Sequence, residues 1–107
     1  MKAVTPEQLQ DIVDRLAEGL RPERVYLYGS HAGGTPHADS DIDILIVMPD
    51  TGATLAQLYG AAEKCLRGSE LPTELVIYTH AEFERQKHWV SSLAYTISRK
   101  GQLLYAA

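Results

Sequence analysis

Apolar residues recur at helical spacing in three stretches of the chain and collect into short strand-like runs between them. Leu9, Ile12, Val13, Leu16 and Leu20 line one face of a first helix. Thr5-Pro6-Glu7-Gln8 opens that helix as a capping box with Pro in the first turn, and Pro22 stops it. Val25 to Tyr28 reads as a short strand running straight into Gly29-Ser30, and His31 to Ser40, rich in Gly, Pro and small polar residues, reads as a loop. Asp41 to Met48 is the clearest strand. Its nearly continuous run of Ile42, Ile44, Leu45, Ile46 and Val47 predicts burial on both faces.

A second capping box, Thr54-Leu55-Ala56-Gln57, heads a helix with Leu55, Leu58, Tyr59, Ala62 and Leu66 on one face and Gly68 at its end. Glu74 to Tyr78 is the next strand. Thr79-His80-Ala81-Glu82 reads as a third capping box, opening a helical stretch from about Ala81 to Lys100 with a boundary or break near Ser91-Ser92. Gly101 stands where a helix C-terminal cap belongs, and Leu103 to Tyr105 adds a short edge strand. Helices and strands alternate, so the expected fold is α/β (α+β), a mixed sheet packed with helices.

Composition narrows what such a fold can do. A chain of 107 residues has room for one core, so a single domain over 1–107 is expected, and 45% hydrophobic content with 22% charge is globular. Ten Lys and Arg against fourteen Asp and Glu give a net charge of -4, and the basic residues are scattered. Direct nucleic-acid binding through phosphate neutralisation is therefore not expected. A polyphosphate handled by this chain needs positive charge from elsewhere, and a metal ion is the natural source. Cys65 is the only cysteine, so no intramolecular disulfide forms. No run approaches the ~20 apolar residues of a membrane span, and Met1 to Gln10 lacks the apolar core of a signal peptide. The expectation is a cytoplasmic protein without membrane contact.

Three features carry chemistry. Gly29-Ser30 closes a strand: Gly29 lets the backbone approach a phosphate closely, and Ser30 can donate a hydroxyl hydrogen bond. Asp41-Ile42-Asp43 enters the most apolar strand with both carboxylates on one face, roughly 6–7 Å apart along it. Carboxylates ~5 Å apart at an effective dielectric of ~20 repel by roughly 3 kcal/mol, which a cation relieves. Mg²⁺ is commonly held by one or two carboxylates plus substrate phosphates, and paired ions can clamp an in-line displacement. Glu74 heads the following strand. If that strand lies beside the one from Asp41, Glu74 completes a three-acid cluster that binds metal and accepts a proton from an attacking hydroxyl. Asp39 forms a second Asp-x-Asp pair with Asp41, but it lies in the loop and reads as a turn former. His31 and His37 read as solvated loop residues, His80 as a first-turn helix residue, His88 as surface and Cys65 as core filler. Trp89 and Tyr95 read as core or as an exposed partner patch. Lys87, Arg99 and Lys100 are cations with no assigned place.

Gly29-Ser30, ten intervening residues, Asp41-Ile42-Asp43 and a later acid on a neighbouring strand resemble the DNA polymerase beta-type nucleotidyltransferase superfamily. Chain length, the first helix and the closing Gly101-Gln102-Leu103-Leu104-Tyr105 are similar to its minimal nucleotidyltransferase branch. The resemblance implies that Asp41, Asp43 and Glu74 ligate Mg²⁺ as two ions and that Gly29 and Ser30 hold the donor's terminal phosphates. ATP would be the donor and pyrophosphate the leaving group. It further implies an antitoxin whose partner is a HEPN-type ribonuclease toxin, silenced by AMP transfer to a tyrosine. Two departures stand out. Gly33 replaces a frequent loop arginine, and Glu74 replaces a usual aspartate. They motivate an alternative, a nucleotide-binding antitoxin that acts by complex formation. A small-molecule nucleotidyltransferase acting on an aminoglycoside-like alcohol is a further alternative, separable by its turnover of a small alcohol.

Overall fold

A computed structural model of the protein describes residues 4–29, 41–69 and 71–107. Its elements run α1 (Pro6–Gly19), β1 (Arg24–Tyr28), β2 (Ile42–Met48), α2 (Leu55–Cys65), β3 (Thr73–Thr79), α3 (His80–Gln86), α4 (Leu93–Lys100) and β4 (Gln102–Ala106). The strands form one sheet in the order β3-β2-β1-β4. β1 pairs antiparallel with β2 and β4, while β2 and β3 run parallel. The expected mixed sheet is therefore present. The expected loop His31–Ser40, with Gly33, His31, His37 and Asp39, lies outside the described residues, as does Ser30.

β2 is central, and six of its seven residues are buried; Asp43 alone is half-exposed. On one face Val25, Leu27, Ile42, Ile44, Ile46 and Ile77 pack against Ile12 and Leu16 of α1 and Leu58 and Ala62 of α2. On the other, Tyr26, Leu45 and Val47 meet Phe83 of α3 and Ala94 and Ile97 of α4. Each such aliphatic or aromatic side chain contributes roughly 1.5–3 kcal/mol when fully buried, so the continuous apolar run makes β2 the mechanical axis of the molecule. β3 is an edge strand. The Tyr59 hydroxyl accepts a hydrogen bond from its Ile77 N–H at 2.9 Å, blunting that edge.

The two N-terminal capping boxes form as expected: Thr5 with Gln8, and Thr54 with Gln57, each with both reciprocal bonds. The third forms only by half. Thr79 Oγ1 accepts from the Glu82 N–H at 3.3 Å. Glu82's carboxylate is instead taken by Arg85 and Gln86, and Thr79 is still paired in β3 opposite Met48. Leu55, expected on the buried face of α2, is 51% exposed.

The stretch from Ala81 to Lys100 is two helices, and Ser92 divides them. Its hydroxyl reaches the carbonyl oxygens of Gln86 and Trp89 at 2.6 and 2.8 Å and also accepts from the Tyr95 N–H at 3.0 Å. One side chain thereby closes α3 and caps α4. Gly101 ends α4 in an extended conformation (φ -72°), not the left-handed one expected of a glycine cap. Clearance explains the residue: a Cβ there would lie 2.7 Å from the Ile97 carbonyl oxygen. His80 Nδ1 meets Glu23 Oε2 at 2.8 Å, tying the start of α3 to the turn before β1. Among the described residues no helix is long and apolar enough to cross a membrane.

Phe83 is 1% exposed, and its ring lies 5.9 Å from that of Tyr26 and 6.0 Å from that of Tyr78. Phe83→Ala is expected to cost roughly 3–5 kcal/mol in urea unfolding, the usual range for a large aromatic removed from a core. A loss below ~1 kcal/mol would show that α3 is not packed on β2 and β3 as described.

Candidate active site

The buried run of β2 begins one residue after Asp41, and this places the acidic pair at the sheet's rim. Asp43 faces Glu74 on β3, its parallel neighbour, and Tyr28 on β1, its antiparallel neighbour. Adjacent strands are ~4.8 Å apart, so Glu74, Asp43 and Tyr28 form one row across three strands. Asp41 precedes Asp43 by one pleat period and sits just before β2. The Ile42 N–H donates to the Pro72 carbonyl oxygen at 3.0 Å, which holds that entry against the start of β3. Asp41 and Glu74 are exposed and Asp43 is half-buried.

Gly29 follows Tyr28 directly and has φ +77°, a left-handed conformation that side chains rarely adopt. A Cβ there would lie 2.2 Å from Asp43 Oδ2 and 3.1 Å from its Cγ. The carboxylate thus occupies the volume that any side chain at 29 would need. Gly29, Asp41, Asp43 and Glu74 stand at one rim of the sheet.

Tyr28 was not singled out by the sequence, yet it reports the field of the site. Its phenol is pushed up to about 12, first by burial and then by the negative charges of Asp43 and Glu74. Both effects oppose a further anion. The signal was available in the alternation of β1, where Arg24, Tyr26 and Tyr28 share a face and Tyr28 abuts Gly29.

The row offers only oxygen donors, the chemistry of Mg²⁺ rather than of a structural zinc. Among the described residues no three His, Cys, Asp or Glu side chains stand in a ready-made metal cage. The residues still fit Mg²⁺, because that ion commonly draws its remaining ligands from water and substrate phosphate.

A cavity of about 340 Å³ opens beside Gly29, between the end of β1 and α4, lined by Tyr28, Gly29, Leu93, Thr96, Ile97 and Lys100. The sequence had given Lys100 no place. The other residues considered take structural roles: His80 pairs with Glu23, His88 is exposed, and Cys65 is half-buried against Gly19. Trp89 is 51% exposed with the Arg85 guanidinium 4.7 Å above its ring, and the Arg99 guanidinium stands 4.5 Å over Tyr95.

The family model for the nucleotidyltransferase domain matches residues 7–101. No curated protein matches the chain. Among solved structures, a candidate nucleotidyltransferase from Sulfolobus solfataricus is similar at TM-score 0.64 and 22% identity, covering 94% of this chain and 78% of that one. A toxin–antitoxin structure with AMP-PNP is similar at TM-score 0.63 and 23% identity, covering 92% of this chain and 73% of that one. A variant of the toxin–antitoxin pair MntA–HpeT is similar at TM-score 0.61 and 21% identity, with the same coverages. At these identities the likeness is one of fold.

The raised Tyr28 pKa has a readable consequence. The neutral phenol is favoured in the folded state, so its contribution to stability is complete below pH 10 and lost as pH rises towards about 12. In an ultraviolet absorbance titration, with Tyr28→Phe as the assignment control, Asp43→Asn is expected to lower the Tyr28 midpoint. An unchanged midpoint would mean that the Asp43 carboxylate does not face this phenol.

Proposed function

The chain belongs to the nucleotidyltransferase domain family, and from that premise we propose that it transfers AMP from ATP to a tyrosine hydroxyl of a partner toxin, as the antitoxin of a toxin–antitoxin module. The observation that carries the reading is the row of Asp43 and Glu74 beside Gly29, with Asp41 one pleat away on the same face. We read residues 1–107 as a minimal domain of this family, working in the cytoplasm where ATP and Mg²⁺ are supplied.

In this reading Asp41, Asp43 and Glu74 hold Mg²⁺, as two ions, and Gly29 with Ser30 holds the donor's terminal phosphates. Bound there, Mg²⁺ supplies the charge that neutralises the triphosphate and orients its α-phosphorus. Glu74 is exposed at the head of β3, within reach of a hydroxyl brought by a partner's surface, and accepts its proton. The hydroxyl oxygen forms a bond to the α-phosphorus, the bond from that phosphorus to the bridging oxygen breaks, and pyrophosphate leaves. Asp43 and Gly29 keep the donor in line by leaving it a single open side. A macromolecular acceptor suits a chain with so little material beyond its sheet and helices. The toxin–antitoxin assemblies among the structural neighbours support a toxin as that acceptor, and a HEPN-type ribonuclease is the toxin class we propose.

A second reading is a nucleotide-binding antitoxin that silences its partner by occupancy. The exposure of both Asp41 and Glu74 favours it, since open carboxylates hold a metal less tightly.

Incubation with α-labelled ATP, Mg²⁺ and the product of the neighbouring gene, the proposed toxin, separates the two. The transferase reading expects label on a toxin tyrosine, abolished by a chelator. Losing a group that merely orients a metal ligand costs 10–100-fold, so Asp43→Asn should reduce transfer about 10²-fold or more. A stable complex with no label, at any metal concentration, would favour occupancy over chemistry.

A further inference from the structure

The site is electrically two-sided about Gly29. On the β2–β3 side stand Asp41, Asp43 and Glu74. On the β4 side lies the cavity between β1 and α4, whose lining among the described residues includes one cation, Lys100, and no acid. The two halves meet at Tyr28 and Gly29, which face Asp43 on one side and line the cavity on the other.

From this juxtaposition we infer that Lys100 is a binding residue for the donor triphosphate, with the β1–α4 cavity as the seat of its outer phosphates. The inference rests on the nucleotidyltransferase reading of the site and deepens it. A metal–triphosphate has the matching polarity: the cation lies toward the carboxylates, and the remaining phosphate oxygens need positive charge on the far side. Lys100 ends α4, and Gly101 next to it lets the chain turn tightly enough to enter β4 beside the end of β1, opposite Leu27. The ammonium is therefore carried on a helix braced by Ala94 and Ile97 in the core, not on a mobile tail. Its neighbour Arg99 is held over Tyr95 instead, so Lys100 is the cation of the last turn that serves the cavity. Thr96 and the half-buried Tyr28 hydroxyl add neutral donors to the same wall.

Calorimetric titration of the full chain with Mg-ATP, Mg-tripolyphosphate and adenosine tests this. Lys100→Gln should weaken both polyphosphates roughly 10-fold, the usual worth of one charge-assisted contact, and should flatten their weakening by added KCl. Lys100→Arg should bind within about 2-fold of the unaltered protein, a rescue that a purely structural role would not give. Arg99→Gln removes the same charge from the same helix turn and should leave both affinities in place. Adenosine binding should not distinguish the variants. If Lys100→Gln binds Mg-tripolyphosphate as tightly as the unaltered chain, the inference fails and the reading of the carboxylates stands. If Lys100→Arg loses as much as Lys100→Gln, charge is not what the position supplies, and the inference fails again. If the unaltered chain binds neither polyphosphate with Mg²⁺, both fall together.

Discussion

The Asp43 carboxylate fills the volume that a side chain at position 29 would need, and the candidate site depends on the glycine that makes this possible. The glycine adopts a left-handed conformation and has no side chain, so the carboxylate can lie 2.2 Å from where a Cβ would be. That close approach requires β1 and β2 to be in one fixed register. A slip of one residue would turn Asp43 into the core and bring Ile44 to the rim. The register is fixed by burial. A slip would carry Asp43, the one residue of β2 that is not buried, onto the apolar face that packs against α1 and α2.

The remaining geometry follows from this central strand. β3 runs parallel to β2, which brings Glu74 level with Asp43; an antiparallel neighbour would have put the head of β3 at the opposite rim. β4 returns along β1 and carries the end of α4 to the same rim as Gly29. Helices α3 and α4 pack on this face through Phe83, Ala94 and Ile97. Among the described residues the result is three acids and a lysine disposed about a glycine, with Asp41 and Glu74 exposed to solvent.

Much of this was legible in the chain because it rests on local rules. The two amino-terminal capping boxes, the buried strand entered by Asp41-Ile42-Asp43, and the edge strand near Leu103 are each written in consecutive residues. What could not be read depended on packing between distant segments. Ser92 splits a continuous helical pattern because its hydroxyl reaches back to Gln86 and Trp89, and periodicity does not show that contact. Glu82 looked like the partner of Thr79 until Arg85 and Gln86 claimed its carboxylate. Leu55 fits an apolar stripe, yet it stands at the first turn of α2, where it is left exposed. Gly101 looked like a left-handed cap and instead provides clearance beneath Ile97. Lys100 was one cation among several until β4 brought it beside Gly29.

The central claim is that Asp41, Asp43 and Glu74 together bind a divalent cation that the triphosphate helps to hold. The most direct measurement follows free Mn²⁺ by electron paramagnetic resonance, as a Mg²⁺ substitute, with and without a non-hydrolysable ATP analogue. The account predicts weak Mn²⁺ binding by the protein alone, tight binding once the analogue is present, and loss of the tight binding in Asp43→Asn. Equal Mn²⁺ uptake by the unaltered and Asp43→Asn chains, with the analogue present, would contradict it.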